Sequence, residues 1–162
     1  MISKKPVFFG VFLIALSAIL DQWSKIYVLS DLMNPPVEIP VTPFFSYVLA
    51  WNTGVSFSMF NSYGLTGTYI LIAVSSLISL FFFVWLLRAQ NFWLTSGLGL
   101  IIGGAIGNLI DRVRFGAVVD FLYFYYESYS WPAFNLADTF ITIGVMLIFI
   151  ESFLSYKGEK NA

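Results

Sequence analysis

The sequence contains no cysteine and no histidine. The first absence removes disulfides and thiol nucleophiles. The second removes zinc sites of the usual kind and any Ser-His-Asp triad. Catalysis, if present, has to rest on carboxylates, hydroxyls, amides, lysine or arginine. Charge is scarce as well: Asp, Glu, Lys and Arg make up 10% of the chain, where soluble domains carry roughly 25%. With a net charge of −1 and no basic cluster, a nucleic-acid partner is not expected. Hydrocarbon takes the place of charge. Hydrophobic residues form 59% of the 162, and aromatics 20%. With a mean hydropathy of +0.83, this is an integral membrane protein, its aromatics suited to lipid-facing and interfacial positions.

Four apolar stretches, at about 7–29, 65–87, 92–113 and 135–156, approach or exceed the roughly 20 helical residues that cross a bilayer core. The first follows Lys4 and Lys5 and has small residues at Ser17 and Ala18, as a signal peptide would. Its apolar character nevertheless continues past Asp21 through Leu29, so it reads as a retained span. The expected fold is a single all-α polytopic membrane domain, residues 1–162, with four transmembrane helices. Between the first two spans, residues 30–64 carry Pro35, Pro36, Pro40 and Pro43, which preclude a helix in the first half. Phe45–Trp51 is β-prone, Asn52-Thr53-Gly54 is a turn signal, and Val55–Phe60 alternates apolar with small polar residues up to Tyr63. A small β-cradle on the membrane surface is expected from this loop. Residues 114–134 read as a second loop. The short connection Arg88–Asn91 makes spans two and three an antiparallel hairpin. Gly99, Gly103 and Gly107 recur every fourth residue, a face that lets another helix come close.

The Lys and Arg distribution gives an orientation. With the N-terminus inside, cytoplasmic segments hold Lys4, Lys5, Arg88, Lys157 and Lys160, and the outer side has Lys25, Arg112 and Arg114, each at a span end. The positive-inside rule thus favours two cytoplasmic termini. On that layout Asp21, Lys25, Asn52, Asn108, Asp111, Arg112, Asp120 and Asp138 all fall on one side of the membrane, with Asn135 beside Asp138. Polar groups near hydrocarbon cost several kcal/mol unless paired or facing a wet cavity. Scattered snorkelling charges would be shared between the two faces, so a common site is expected. For Asp21 and Lys25, spaced i,i+4 in the favourable order, two readings stand: a snorkelling pair ending the span, or a polar edge facing a cavity.

Two carboxylates held close do not both ionise easily, so one keeps its proton while the other can activate water. Asp120 and Asp138 suit this best. A helix cap would explain Asp138 but not Asp120 or the Asn and Arg beside it. A Mg²⁺-dependent phosphotransferase using the Asp residues as oxygen ligands is the alternative class. It is disfavoured because Asp111, Asp120 and Asp138 are spread over a loop. A proton-coupled transporter is disfavoured by the lack of a midplane acid.

Five blocks in order resemble the lipoprotein signal peptidase (signal peptidase II) family of bacterial membrane aspartic peptidases. They are Asp21-Gln22-Trp23-Ser24-Lys25, Trp51-Asn52-Thr53-Gly54, Gly103 through Arg112, Val118-Val119-Asp120-Phe121, and Phe134 through Asp138. The resemblance implies a hydrolase of the cell inner membrane with Asp120 and Asp138 as catalytic dyad. It also implies that Asp21, Lys25, Asn52, Asn108, Arg112 and Asn135 line the site and hold substrate and dyad, with Asp111 in support. It implies neither metal nor other cofactor, a lipidated prolipoprotein as substrate, membrane lipid as surroundings, and a monomer acting at the periplasmic face. The chain departs from the family at Val55-Ser56, where an alanine pair is common.

Overall fold

A computed structural model describes residues 5–54 and 64–160. Its helices are α1 (Lys5–Tyr27), α2 (Gly64–Arg88), α3 (Phe92–Phe115) and α4 (Leu136–Lys160). Each contains or opens a segment long and apolar enough to cross a membrane: Pro6–Leu32, Thr66–Leu86, Phe92–Phe115 and Leu136–Ser155. The protein is a polytopic membrane protein. Its centre is α3, whose span is 56% buried against 11% for the spans of α2 and α4. The outer helices keep side chains such as Leu80, Phe81 and Phe149 exposed, as lipid-facing helices do.

The glycine face of α3 explains this centrality. A Cβ on Gly103 would overlap the Ser17 hydroxyl of α1, and one on Gly107 would overlap the Asp21 carboxylate. Only glycine admits α1 this closely. The opposite face uses the same device, since a Cβ on Gly104 would meet the Ala137 carbonyl of α4 at 2.5 Å. Both ends of α3 are capped. Asn91 Oδ1 accepts from Trp93 N at 2.7 Å, while its amide donates to Glu151 of α4 at 3.0 Å. At the far end Gly116, at φ 73°, takes the left-handed conformation and donates to Arg112 O, which frees the chain to leave the helix.

An antiparallel sheet sits on this end of the bundle, in the order β1 (Ile39–Thr42), β2 (Phe45–Asn52), β3 (Val118–Tyr126), β4 (Tyr129–Ser130). The sequence placed a sheet in residues 30–64 and read 114–134 as a loop. The structure corrects this, because β3 and β4 come from the second segment. Val118 to Phe121 are buried at every position, so the strand shows no period-two alternation, as expected of a strand covered on both faces. Residues 55–63, including Val55-Ser56 and Tyr63, lie outside the described residues, as does Lys4. The register sets Ala50 opposite Asp120 and Asn52 opposite Val118.

Sheet and bundle are welded by Val28, Met33, Val119 and Phe121, each at most 4% exposed, with Leu136 packed against them. Burial of each such side chain stabilises by about 1.5–3 kcal/mol. Val28 begins and Met33 follows a π-turn, Val28–Leu32, that prolongs α1 and closes with Met33 N donating to Val28 O at 2.8 Å. The turn thus aims the end of α1 into the underside of the sheet.

Candidate active site

The site rests on a buried cation. Lys25 Nζ lies 2.8 Å from Asp21 Oδ2 and 2.8 Å from Asp111 Oδ2, and donates to Asn108 Oδ1 at 3.0 Å. All three ammonium hydrogens are thereby engaged. Lys25 is 2% exposed and both carboxylates 0%. The pair is neither a snorkelling end nor a cavity edge; it is a buried ion cluster with a third member, Asp111.

The cluster ties four elements together. Asp21 Oδ1 accepts from Ala137 N at 2.9 Å, satisfying an amide in the first turn of α4 that has no helical partner. Asp111 Oδ2 accepts from Val119 N at 3.1 Å, which fixes the start of β3 on α3. Gln22, overlooked as a site residue in the sequence, reaches from α1 to Asp111 Oδ1 at 2.8 Å and to Gly107 O at 3.1 Å.

Above the cluster lies a layer of asparagines. Asn108 Oδ1 accepts from both Lys25 and Asn135 Nδ2, the latter at 3.1 Å. Its amide nitrogen is therefore turned to Asp138 Oδ1, at 2.9 Å. Asn135 Oδ1 accepts from Asp138 N at 3.1 Å, and Asn135 N donates to Asp138 Oδ2 at 3.3 Å. This is a reciprocal capping box at the start of α4. Asp138 is thus its third residue, and Asn135 is the cap. The remaining amide of Asn135 donates to Asp120 Oδ1 at 2.6 Å, and Asn52 Nδ2 donates to Asp120 Oδ2 at 3.1 Å. Asn135 touches both carboxyls. Asp120 stands on a strand, not in the expected loop.

Each acid oxygen of Asp120 and Asp138 accepts from an amide. Burial, then the neighbouring Asp138 charge, pushes Asp120 from 3.8 up to about 7, against the pull of the Asn52 and Asn135 amides and Lys25. Near neutral pH Asp120 is thus present in both protonation states. A carboxyl pair of this kind can activate water with one member and protonate an oxygen with the other.

The acids open onto a cleft of about 760 Å³, lined among others by Asn52, Asn108, Arg112, Asp120 and Asp138. Arg112 Nη2 donates to Gly54 O at 3.2 Å and Nη1 to Asn108 O at 3.4 Å. Its Nε is buried without a partner among the described residues. The resemblance put Asp21, Lys25 and Asn135 on the site's lining as well. They are absent from it, as is Asp111, because they are buried underneath and hold what lines it. Two further walls were not singled out as site residues in the sequence: Trp131–Phe134, of which only Phe134 fell in a matching block, and Ile141 with Thr142 on α4. None carries a charge that would have drawn notice.

A family model described as signal peptidase (SPase) II matches residues 13–154. A lipoprotein signal peptidase of Rhodopseudomonas palustris (strain TIE-1) is 41% identical over 161 residues, covering 96% of this chain and 98% of its own. That of Nitrobacter hamburgensis is 43% identical over 160 residues, with the same 96% and 98% coverage. A solved structure of a bacterial membrane enzyme superposes with a TM-score of 0.76 at 28% identity, over 95% of this chain and 93% of that one.

Proposed function

The chain belongs to the signal peptidase II family, and on that premise we propose that it removes signal peptides from prolipoproteins with Asp120 and Asp138 as an aspartic dyad. It is a membrane peptidase. The observation that carries the dyad is Asn135, whose side-chain amide holds Asp120 and whose backbone amide holds Asp138. The ionised member takes a proton from water, which attacks the scissile carbonyl. The neutral member donates to the carbonyl oxygen, and a proton then passes to the leaving nitrogen. The Arg112 guanidinium, which lines the cleft, and the cleft asparagines supply donors for the substrate backbone and the developing oxyanion.

The substrate is a precursor whose cysteine already carries diacylglycerol, cut just before that cysteine. The depth of the site supports this reading. The dyad stands where α3 ends and α4 begins, so a bond beside a lipidated cysteine reaches it while the acyl chains stay in the leaflet. Both termini lie in the cytoplasm and the cleft faces the periplasm, on the strength of the Lys and Arg asymmetry. The enzyme works as a monomer without a cofactor. The test uses purified protein, excess chelator and synthetic precursors with and without diacylglycerol on the cysteine. The lipidated peptide should be cut before the cysteine and the bare peptide spared. Equal cleavage of both, or activity that vanishes with chelator and returns with Mg²⁺, would overturn the reading.

A further inference from the structure

The lining of the cleft divides by element. Its amides and its guanidinium come from β2 and α3, in Asn52, Asn108 and Arg112. Residues 131–134 and α4 add, beside Asp138, a mostly apolar set that includes Ile141 and Thr142. The Thr142 hydroxyl donates its one hydrogen to Asp138 O at 2.8 Å, so it offers the cleft no free donor. Of the spanning-helix residues on the lining, Asn108 is buried, and Arg112, Asp138 and Ile141 are half-buried. Thr142 alone among the described ones is exposed. No described residue of α1 or α2 lines the cleft. Thr142 also continues a stripe. At 3.6 residues per turn, Asp138, Thr142, Val145 and Phe149 share one face of α4, and Val145 and Phe149 are exposed to lipid as well. The neighbouring face of α4 is closed against α3: a Cβ on Gly104 would meet Ala137 O at 2.5 Å, and one on Gly97 would meet Gly144 O at 2.7 Å. The cleft thus opens into hydrocarbon along the outward face of α4 and not between the two helices.

Resting on the peptidase reading above, we infer that the precursor's lipidated cysteine turns its side chain toward α4, and that its acyl chains run down the Thr142–Val145–Phe149 stripe. Thr142 and Val145 are then the specificity-determining residues that face the lipid. The thioether and glyceryl carbons make a short link, so chains attached beside Asp138 have to leave the cleft close to it. Toward α3 the packing is closed, and the peptide backbone takes the amides of Asn52 and Asn108. Along the helix axis Thr142 lies about 6 Å below Asp138 and Val145 about 10 Å, at roughly 1.5 Å per residue. Lipid tails are as apolar as the stripe, so moving acyl chains from bilayer to α4 gains little free energy. The stripe therefore selects by shape: small side chains beneath the dyad leave room for the lipid, and bulk placed there excludes it.

The test is a bulk scan of α4 in purified enzyme reconstituted in bilayers, with KM and kcat measured for precursors whose cysteine carries glycerol bearing either two acetyl or two palmitoyl chains. Thr142→Trp should raise KM about tenfold for both precursors and affect kcat less. Val145→Trp should raise KM about tenfold for the palmitoyl precursor and leave the acetyl one nearly unchanged, because only long chains reach its depth. Ile143→Trp, exposed on α4 but outside both cleft and stripe, should change neither. Equal effects at Thr142, Val145 and Ile143 would overturn the inference and leave the peptidase reading intact. So would a Val145→Trp effect that ignores chain length, or no effect at Thr142 and Val145 while wild type cleaves normally. A palmitoyl precursor that wild type does not cleave would overturn both. If a Trp variant does not fold, a photoreactive group on the acyl chain decides with wild-type enzyme. It should attach to Thr142, Val145 or Phe149. Attachment to α1 or α2, or labelling of the stripe from a photoreactive residue in the signal peptide instead, would overturn the inference.

Discussion

Raising the pH should cost this fold stability through one residue, Asp120. Its carboxyl is 2% exposed, and burial together with the Asp138 charge lifts it from 3.8 to about 7 in the folded protein. A carboxyl raised on folding favours the folded state in its protonated form. That contribution is fully present below pH 3.8 and is lost as pH rises through about 7. At about 1.4 kcal/mol per pH unit the loss reaches at most roughly 4 kcal/mol. For a chain of this length each kcal/mol is about 2–4 °C in Tm. Asp120→Asn removes the titration but keeps the shape. Its Tm in detergent should therefore gain on wild type by several degrees between pH 4.5 and 8, whatever the offset at the acidic end. That offset is expected to favour wild type, because an amide turns a donor toward either Asn52 or Asn135. A gap that stays constant, or that closes as pH rises, would refute the reasoning.

Removing the cation beneath the site should be far worse than removing a surface charge. Lys25→Met leaves Asp21 and Asp111 buried and facing one another uncompensated, a loss of about 3–5 kcal/mol. Thermal unfolding in detergent reads it, and a change under about 0.5 kcal/mol would contradict the role given to the cluster. The topology is open to labelling, since the chain has no cysteine of its own. In spheroplasts, Tyr129→Cys at the β4 edge should react with an impermeant thiol reagent. Gln90→Cys, at an exposed position between α2 and α3, should react only after permeabilisation. Reaction of both from outside would sink the orientation.

Much of this structure is written in hydropathy. The four spans follow from apolar length, and the meeting of Asp21, Asn108 and Asp138 at one end follows from where those spans begin and end. The i,i+4 spacing of Asp21 and Lys25 also announced an ion pair. Its third member did not show, because Asp111 joins it from α3 across 86 residues, and sequence spacing carries no such contact. β3 was hidden by its own burial. Val118 to Phe121 have no solvent face, and the period that marks a half-exposed strand is missing. The capping box was half legible, since Asn135 and Asp138 stand at cap and third-residue spacing. What sequence alone could not rank was depth within the site. Asn52, Asn108 and Arg112 reach the cleft whereas Lys25, Asp111 and Asn135 stand behind it. That division depends on how closely α1 settles on Gly107.

The dyad is tested most directly by the cleavage rate of Asp120→Asn, Asp138→Asn and the double variant on a diacylglyceryl-modified precursor, with binding of the precursor followed separately. If both acids serve one proton transfer, each single variant should still bind and lose cleavage by several orders of magnitude. The double variant should be scarcely slower than either, because members of a catalytic unit are not additive. A single variant that keeps more than about a tenth of the wild-type rate, a loss below about 1.4 kcal/mol in the barrier, would contradict the aspartic mechanism.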